Sequence, residues 1–121
     1  MTDLARKRVF VVEDEGMIAM LLEDYLEELG CTVAASASTL DDALAKAAVV
    51  EADVAILDIN LAGHSSFEVA DLLSRRQVPF VFVTGYGAAA AAWTKSAPIL
   101  TKPFAFSELA EVLGELVAPR A

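Results

Sequence analysis

One cysteine, one histidine and one tryptophan are all that the 121 residues hold of these side chains. Cys31, being alone, closes no intrachain disulfide and anchors no cysteine-based metal cage, which suits a reducing compartment. Its place at the start of a strand is that of a buried thiol, not a reactive one. His64 sits in a loop beside Gly63 and reads as a solvated residue, not a proton donor. Basic residues are also scarce: nine Lys and Arg stand against eighteen Asp and Glu, a formal charge of −9. A surface this acidic repels a phosphate backbone, so direct nucleic-acid binding is excluded as a working expectation. No run of about eighteen apolar residues occurs, and Met1–Arg8 leads into a short strand instead of a signal-peptide core. A soluble, cytoplasmic protein is expected. What is present is 56% hydrophobic residues, ample for the core of one domain.

The stretch Val54–Gly63 organises the chain: four apolar residues lead to Asp58, followed by Ile59, Asn60 and a glycine-containing loop. That is a buried strand ending on a carboxylate. Other apolar runs end alike: Val9–Val12 on Glu13 and Asp14, Phe80–Val83 on Thr84, and Ile99–Leu100 on Thr101 and Lys102. Strands are expected at 7–12, 31–35 and 54–59, from Pro79 onward and at 99–100. Between them the apolar positions recur at helical spacing. Met17–Leu29 is one helix, stopped by Gly30 and carrying Glu23, Asp24, Glu27 and Glu28 on a solvated face. Thr39 with Asp42, and Ser65 with Glu68, are capping pairs for two more helices, Arg75 and Arg76 meeting the negative end of the second. Ser107 caps the last, which Pro119 stops. The alternation predicts a doubly wound α/β fold: a parallel sheet with helices on both faces. Residues 85–101 must hold a turn, any fourth helix and the last strand, so that helix is expected to be short and mobile. Trp93 lies there, either core or an anchor for a partner.

In such a sheet the carboxyl ends of the strands share one edge, which brings these polar residues to one site. Two unit charges about 5 Å apart repel by roughly 3 kcal/mol at an effective dielectric near 20, so clustered carboxylates demand protons or a cation. An all-oxygen donor set suits Mg²⁺, while Zn²⁺ lacks its usual Cys and His ligands. Asp58 beside such an ion, with the Thr84 hydroxyl and the Lys102 ammonium on neighbouring strands, is equipped to accept a phosphoryl group. Glu13 and Asp14 could instead cap the first helix, but with the other strand ends they read as metal ligands. Lys102-Pro103 fits a phosphate-facing turn with a cis peptide.

The motifs Val-Val-Glu-Asp-Glu, Ile-Leu-Asp-Ile-Asn-Leu, Phe-Val-Thr-Gly-Tyr-Gly and Leu-Thr-Lys-Pro-Phe, in that order, resemble the receiver domain of bacterial two-component response regulators. The resemblance covers nearly the whole chain. It implies a flavodoxin-like (βα)5 fold with a five-stranded sheet of order 2-1-3-4-5, an order the general rule for doubly wound folds itself gives for a receiver. It implies one receiver domain over 1–121, with its core at about 7–117 and no output domain. By the same likeness Asp58 accepts phosphate from a histidine kinase or a phosphotransfer protein, Asp14 and Glu13 bind Mg²⁺, and Asn60 offers its backbone carbonyl. The only chemistry implied is the domain's own phosphotransfer and slow hydrolysis, with output through a protein partner, a phosphorelay or a phosphate sink. A homodimer through the last helix stays open.

The sequence departs from the common receiver pattern at Leu61-Ala62, at Ser66 and at Ile99, where an aromatic switch residue is usual. Phe82–Gly87 is similar to a subgroup with a Phe-Ala-Thr-Gly motif, often stand-alone and served by an atypical class of kinases. In that likeness Gly85 and Tyr86 form the switch. The rivals are a phosphorylation-independent adaptor with the same fold, a small aspartyl-phosphate phosphatase, which needs a second acid where Asn60 stands, and a flavin carrier, whose phosphate Glu13-Asp14-Glu15 would repel.

Overall fold

The computed structural model describes residues 4–85 and 97–118. Five strands form one parallel sheet: β1 (Arg8–Val12), β2 (Thr32–Ala37), β3 (Val54–Asp58), β6 (Phe80–Thr84) and β7 (Ile99–Thr101). Their order is β2-β1-β3-β6-β7. A separate hairpin, β4 (Asn60–Leu61) with β5 (His64–Ser65), follows the central strand. With the hairpin set aside, the order is the expected 2-1-3-4-5 of a flavodoxin-like fold. Four helices are described: α1 (Gly16–Glu28), α2 (Leu40–Ala47), α3 (Phe67–Arg75) and α4 (Phe106–Val117). None of them is long and apolar enough to cross a membrane.

Successive strand residues point to opposite faces, and the core divides accordingly. Phe10, Val12, Ala55, Leu57, Phe80 and Phe82 pack with Ala43 and Ala47 of α2 and Val69, Ala70 and Leu73 of α3. Val9, Val11, Val54, Ile56, Val81 and Val83 pack on the other face with Leu22 and Leu26 of α1 and Leu109 and Leu113 of α4. Burial on both faces explains why these strands read as continuous apolar runs and not as alternating ones. Phe82 meets Phe67 and Phe80 edge to face at 5.7 and 5.2 Å, and half-buried Tyr25 meets Phe104 and Phe106 at the rim of the second core.

Boundaries and caps differ from the sequence reading in instructive ways. β2 runs two residues beyond Ala35, because Ser36 and Ala37 stay in register with Val11 and Val12. The Thr39 hydroxyl accepts from the Asp42 N–H at 3.2 Å as expected, and Gly30 takes φ +82° after α1. Ser65 lies one residue outside the cap position of α3, yet its hydroxyl accepts from the Phe67 N–H at 3.1 Å. Ser107 does not cap α4. Ala105 holds that position, and the Glu108 carboxylate accepts its N–H at 2.9 Å, because the acid can reach back from the first turn. Arg76 does not serve its own helix end. Its guanidinium donates to the Ala47 and Val50 carbonyls at 2.7 and 2.8 Å, closing the end of α2. The expected fourth helix of the sequence reading falls at residues outside those described.

Candidate functional site

The register of the sheet builds the site. Val12 pairs with Leu57, Asp58 with Val83, and Thr84 with Thr101, so the residues just beyond these pairs meet along one edge. Glu13 and Asp58 are buried although both are acids, and Asp14 is half-buried. Lys102 reaches into this edge. Its Nζ donates to Glu13 Oε1 at 3.1 Å, to Asp58 Oδ2 at 3.2 Å and to Glu15 Oε1 at 3.2 Å. The main chain fixes its origin, since the Lys102 N–H donates to the Thr84 carbonyl at 2.8 Å; the Lys102-Pro103 peptide is cis.

The hairpin after Asp58 is the second positioning device. Ala62 and Gly63 link β4 and β5 with φ +51° and +89°, the left-handed pair that a tight two-residue hairpin turn requires. The Asn60 side-chain oxygen accepts from the Gly63 N–H at 2.8 Å, and Asp14 Oδ2 accepts from the Ala62 N–H at 2.9 Å. Asp14 is thereby tied to the loop that follows Asp58, and Asn60 donates its backbone N–H to Asp58 Oδ1 at 3.2 Å.

Burial sets the electrostatics. Desolvation, reinforced by the Asp58 charge, pushes Glu13 up to about 7 despite the Lys102 hydrogen bond. Desolvation also raises Asp58, against the lowering pull of Lys102 and of the Asn60 N–H. Burial alone would lower Lys102, but its bonds to Glu13 and Asp58 outweigh it and hold the ammonium above its ordinary range. Glu13, Asp14, Glu15 and Asp58 each offer a carboxylate oxygen within 4.8 Å of the others. Glu13 Oε2 is buried with no hydrogen-bond partner. An orphaned carboxylate oxygen among all-oxygen donors fits a small hard cation such as Mg²⁺.

The sequence-predicted residues are thus largely together: Glu13 and Asp58 meet Lys102 directly, Asp14 brings a carboxylate oxygen within 4.8 Å of both acids, and buried Thr84 ends the adjoining strand. Asn60 is exposed on the hairpin. Ile99 lies at the other end of β7, opposite Phe82, with 47% of its surface exposed, and Gly85 is exposed just after β6. Tyr86 and Trp93 lie outside the described residues. Glu15 was missed as a site residue. Its signal was its adjacency to two acids at the end of β1.

A family model for the response regulator receiver domain matches residues 9–114. The chain belongs to that family. Phyllosphere-induced regulator PhyR of Methylorubrum extorquens is 34% identical over 112 residues, which are 88% of this chain and 42% of PhyR. The transcriptional regulatory protein PdtaR of Mycobacterium tuberculosis is 28% identical over 85% of this chain and 53% of its own length. The chain therefore spans about half the length of these curated relatives. A solved structure of SdrG from Sphingomonas melonis Fr1 matches end to end, with 39% identity, 98% of this chain, all of SdrG and a TM-score of 0.79. A further SdrG structure, of its BeF3-activated conformation, has a TM-score of 0.78 at the same identity.

Proposed function

We propose that this receiver domain is a phosphorylation switch whose acceptor is Asp58. The observation that carries the reading is the Lys102 ammonium held 3.2 Å from Asp58 Oδ2 at the edge where the acids converge. The donor is the phosphohistidine of a histidine kinase or of a phosphotransfer protein. Asp58 attacks phosphorus, an O–P bond forms as the N–P bond breaks, and the leaving imidazole keeps the electron pair and takes a proton. Lys102 turns toward a phosphoryl oxygen as charge develops there, and the Thr84 hydroxyl on the adjoining strand donates to another. Mg²⁺ held by Glu13, Asp14, Asp58 and the Asn60 carbonyl supplies, when bound, the positive charge that offsets the carboxylates and the incoming phosphoryl oxygens.

The chemistry is confined to the domain's own aspartate, and the output is a changed protein contact, a relay step or a phosphate sink. The segment from Gly85 through Tyr86 to Trp93 is the proposed switch, since exposed Ile99 supplies no aromatic ring to swing. The BeF3-activated SdrG relative supports the reading by its kinship. Incubation with acetyl phosphate and Mg²⁺, followed by intact mass, tests it. Wild type should gain one phosphoryl group and Asp58→Asn none. Equal gain in both would contradict it.

A further inference from the structure

Glu15 occupies the cap position before α1, where a short Ser, Thr, Asp or Asn side chain would turn back onto the helix N–H groups. It makes no such bond. Its carboxylate instead reaches Lys102 Nζ at 3.2 Å, across 87 positions of sequence. Lys102 therefore divides one ammonium among three carboxylates, of which Glu13 and Asp58 are buried and Glu15 is 62% exposed. Burial keeps Glu13 and Asp58 from water, whereas the exposed acid can swing into it at little cost.

We infer that Glu15 is a positioning residue that restrains Lys102 in the unphosphorylated state and slows phosphoryl uptake by Asp58. This rests on Asp58 being the acceptor. During uptake from acetyl phosphate the P–O bond to acetate breaks, Asp58 forms its own O–P bond, and acetate leaves with the electron pair. A dianionic phosphoryl group on Asp58 then draws Lys102, and Glu15 must release it. The release is an added step in the path to the phosphorylated state, and removal of the restraint shortens that path.

The test compares wild type, Glu15→Gln and Glu15→Asp. Glu15→Gln removes no capping bond, since Glu15 makes none, and Glu15→Asp shortens the side chain to one that turns back onto the helix N–H groups and away from Lys102. Phosphoryl uptake from acetyl phosphate is followed by intact mass, and the Lys102 ε-methylene NMR signal is recorded without donor or Mg²⁺. Glu15→Asp keeps the charge near the donor's path but shortens the reach. The inference expects both variants to take up phosphate about two- to fivefold faster, with the Lys102 signal displaced in both. Unchanged rates with an unchanged signal overturn it. Acceleration in Glu15→Gln alone also overturns it, because that pattern is relief of donor repulsion. Should wild type and both variants take up no phosphate, the acceptor reading of Asp58 fails and the inference falls with it, while an undisturbed Lys102 signal alone would overturn the contact.

Discussion

Lys102 Nζ stands 3.2 Å from Asp58 Oδ2, although 44 positions separate the two residues. The tie between the Lys102 N–H and the Thr84 carbonyl delivers the lysine, and pairing of Asp58 with Val83 delivers the aspartate. The ammonium thus offsets part of the negative charge that the converging carboxylates bring to this edge.

If lysine and cation compete for the same oxygens, Lys102→Met should bind Mg²⁺ more tightly than wild type. A unit charge about 5 Å from a dication opposes it by several kcal/mol at an effective dielectric near 20, softened by water, so a gain of threefold or more is expected. Isothermal titration calorimetry reads it. Phosphoryl uptake from acetyl phosphate should fall at least tenfold in the same variant, because the phosphoryl oxygens lose their ammonium partner.

In the Mg²⁺-free protein, stability should rise as the medium is acidified from pH 7.5 to pH 5. Glu13 binds its proton more tightly in the fold, at about 7 against an ordinary 4.5. As pH falls through about 7 the fold takes up this proton while the unfolded chain stays ionised there down to its ordinary range, so acid favours the fold and rising pH removes the gain. Asp58 shifts in the same direction. The full Glu13 contribution is up to about 3 kcal/mol. Thermal melts of wild type and Glu13→Gln check it: the glutamine variant should lose most of the slope.

Arg76→Ala should cost about 1.5–3 kcal/mol, the range of charged hydrogen bonds, since the Ala47 and Val50 carbonyls lose their donor. Urea unfolding measures it. A loss under about 0.5 kcal/mol would mean that water replaces the guanidinium without penalty.

Ala62→Gly should stabilise the fold by about 1 kcal/mol, because Ala62 holds φ +51° in the turn after Asp58 and glycine takes that region without a Cβ penalty. The Ala62 N–H that Asp14 accepts is kept in the variant. A urea midpoint lower than that of wild type would contradict the strain assigned to this turn.

The strands and the meeting of Glu13, Asp14, Asp58 and Lys102 were legible because strand ends in a parallel sheet share an edge, and period and turn residues mark those ends. Less legible was anything decided between elements. Arg76 looked like a cap for its own helix, and only the packing of α2 against α3 gives it the Ala47 and Val50 carbonyls. Glu15 looked like one more acid at a helix start, and only the path of Lys102 gives it a partner. The hairpin at Asn60–Ser65 was hidden because Ala62, not a second glycine, takes the first left-handed position. At the last helix, Ser107 was preferred on residue type, while the reach of Glu108 decides the cap.

The central claim is that Asp58 is a phosphoryl acceptor coupled to a switch. An amide NMR titration with Mg²⁺ and then beryllofluoride, on wild type and Asp58→Asn, tests it most directly. The account predicts that Mg²⁺ shifts the signals of Glu13, Asp14 and Asp58 in wild type, and that beryllofluoride then shifts residues 84–93 only when Asp58 is present. A wild-type spectrum that ignores both ligands would contradict it and leave a receiver fold used as a phosphorylation-independent adaptor.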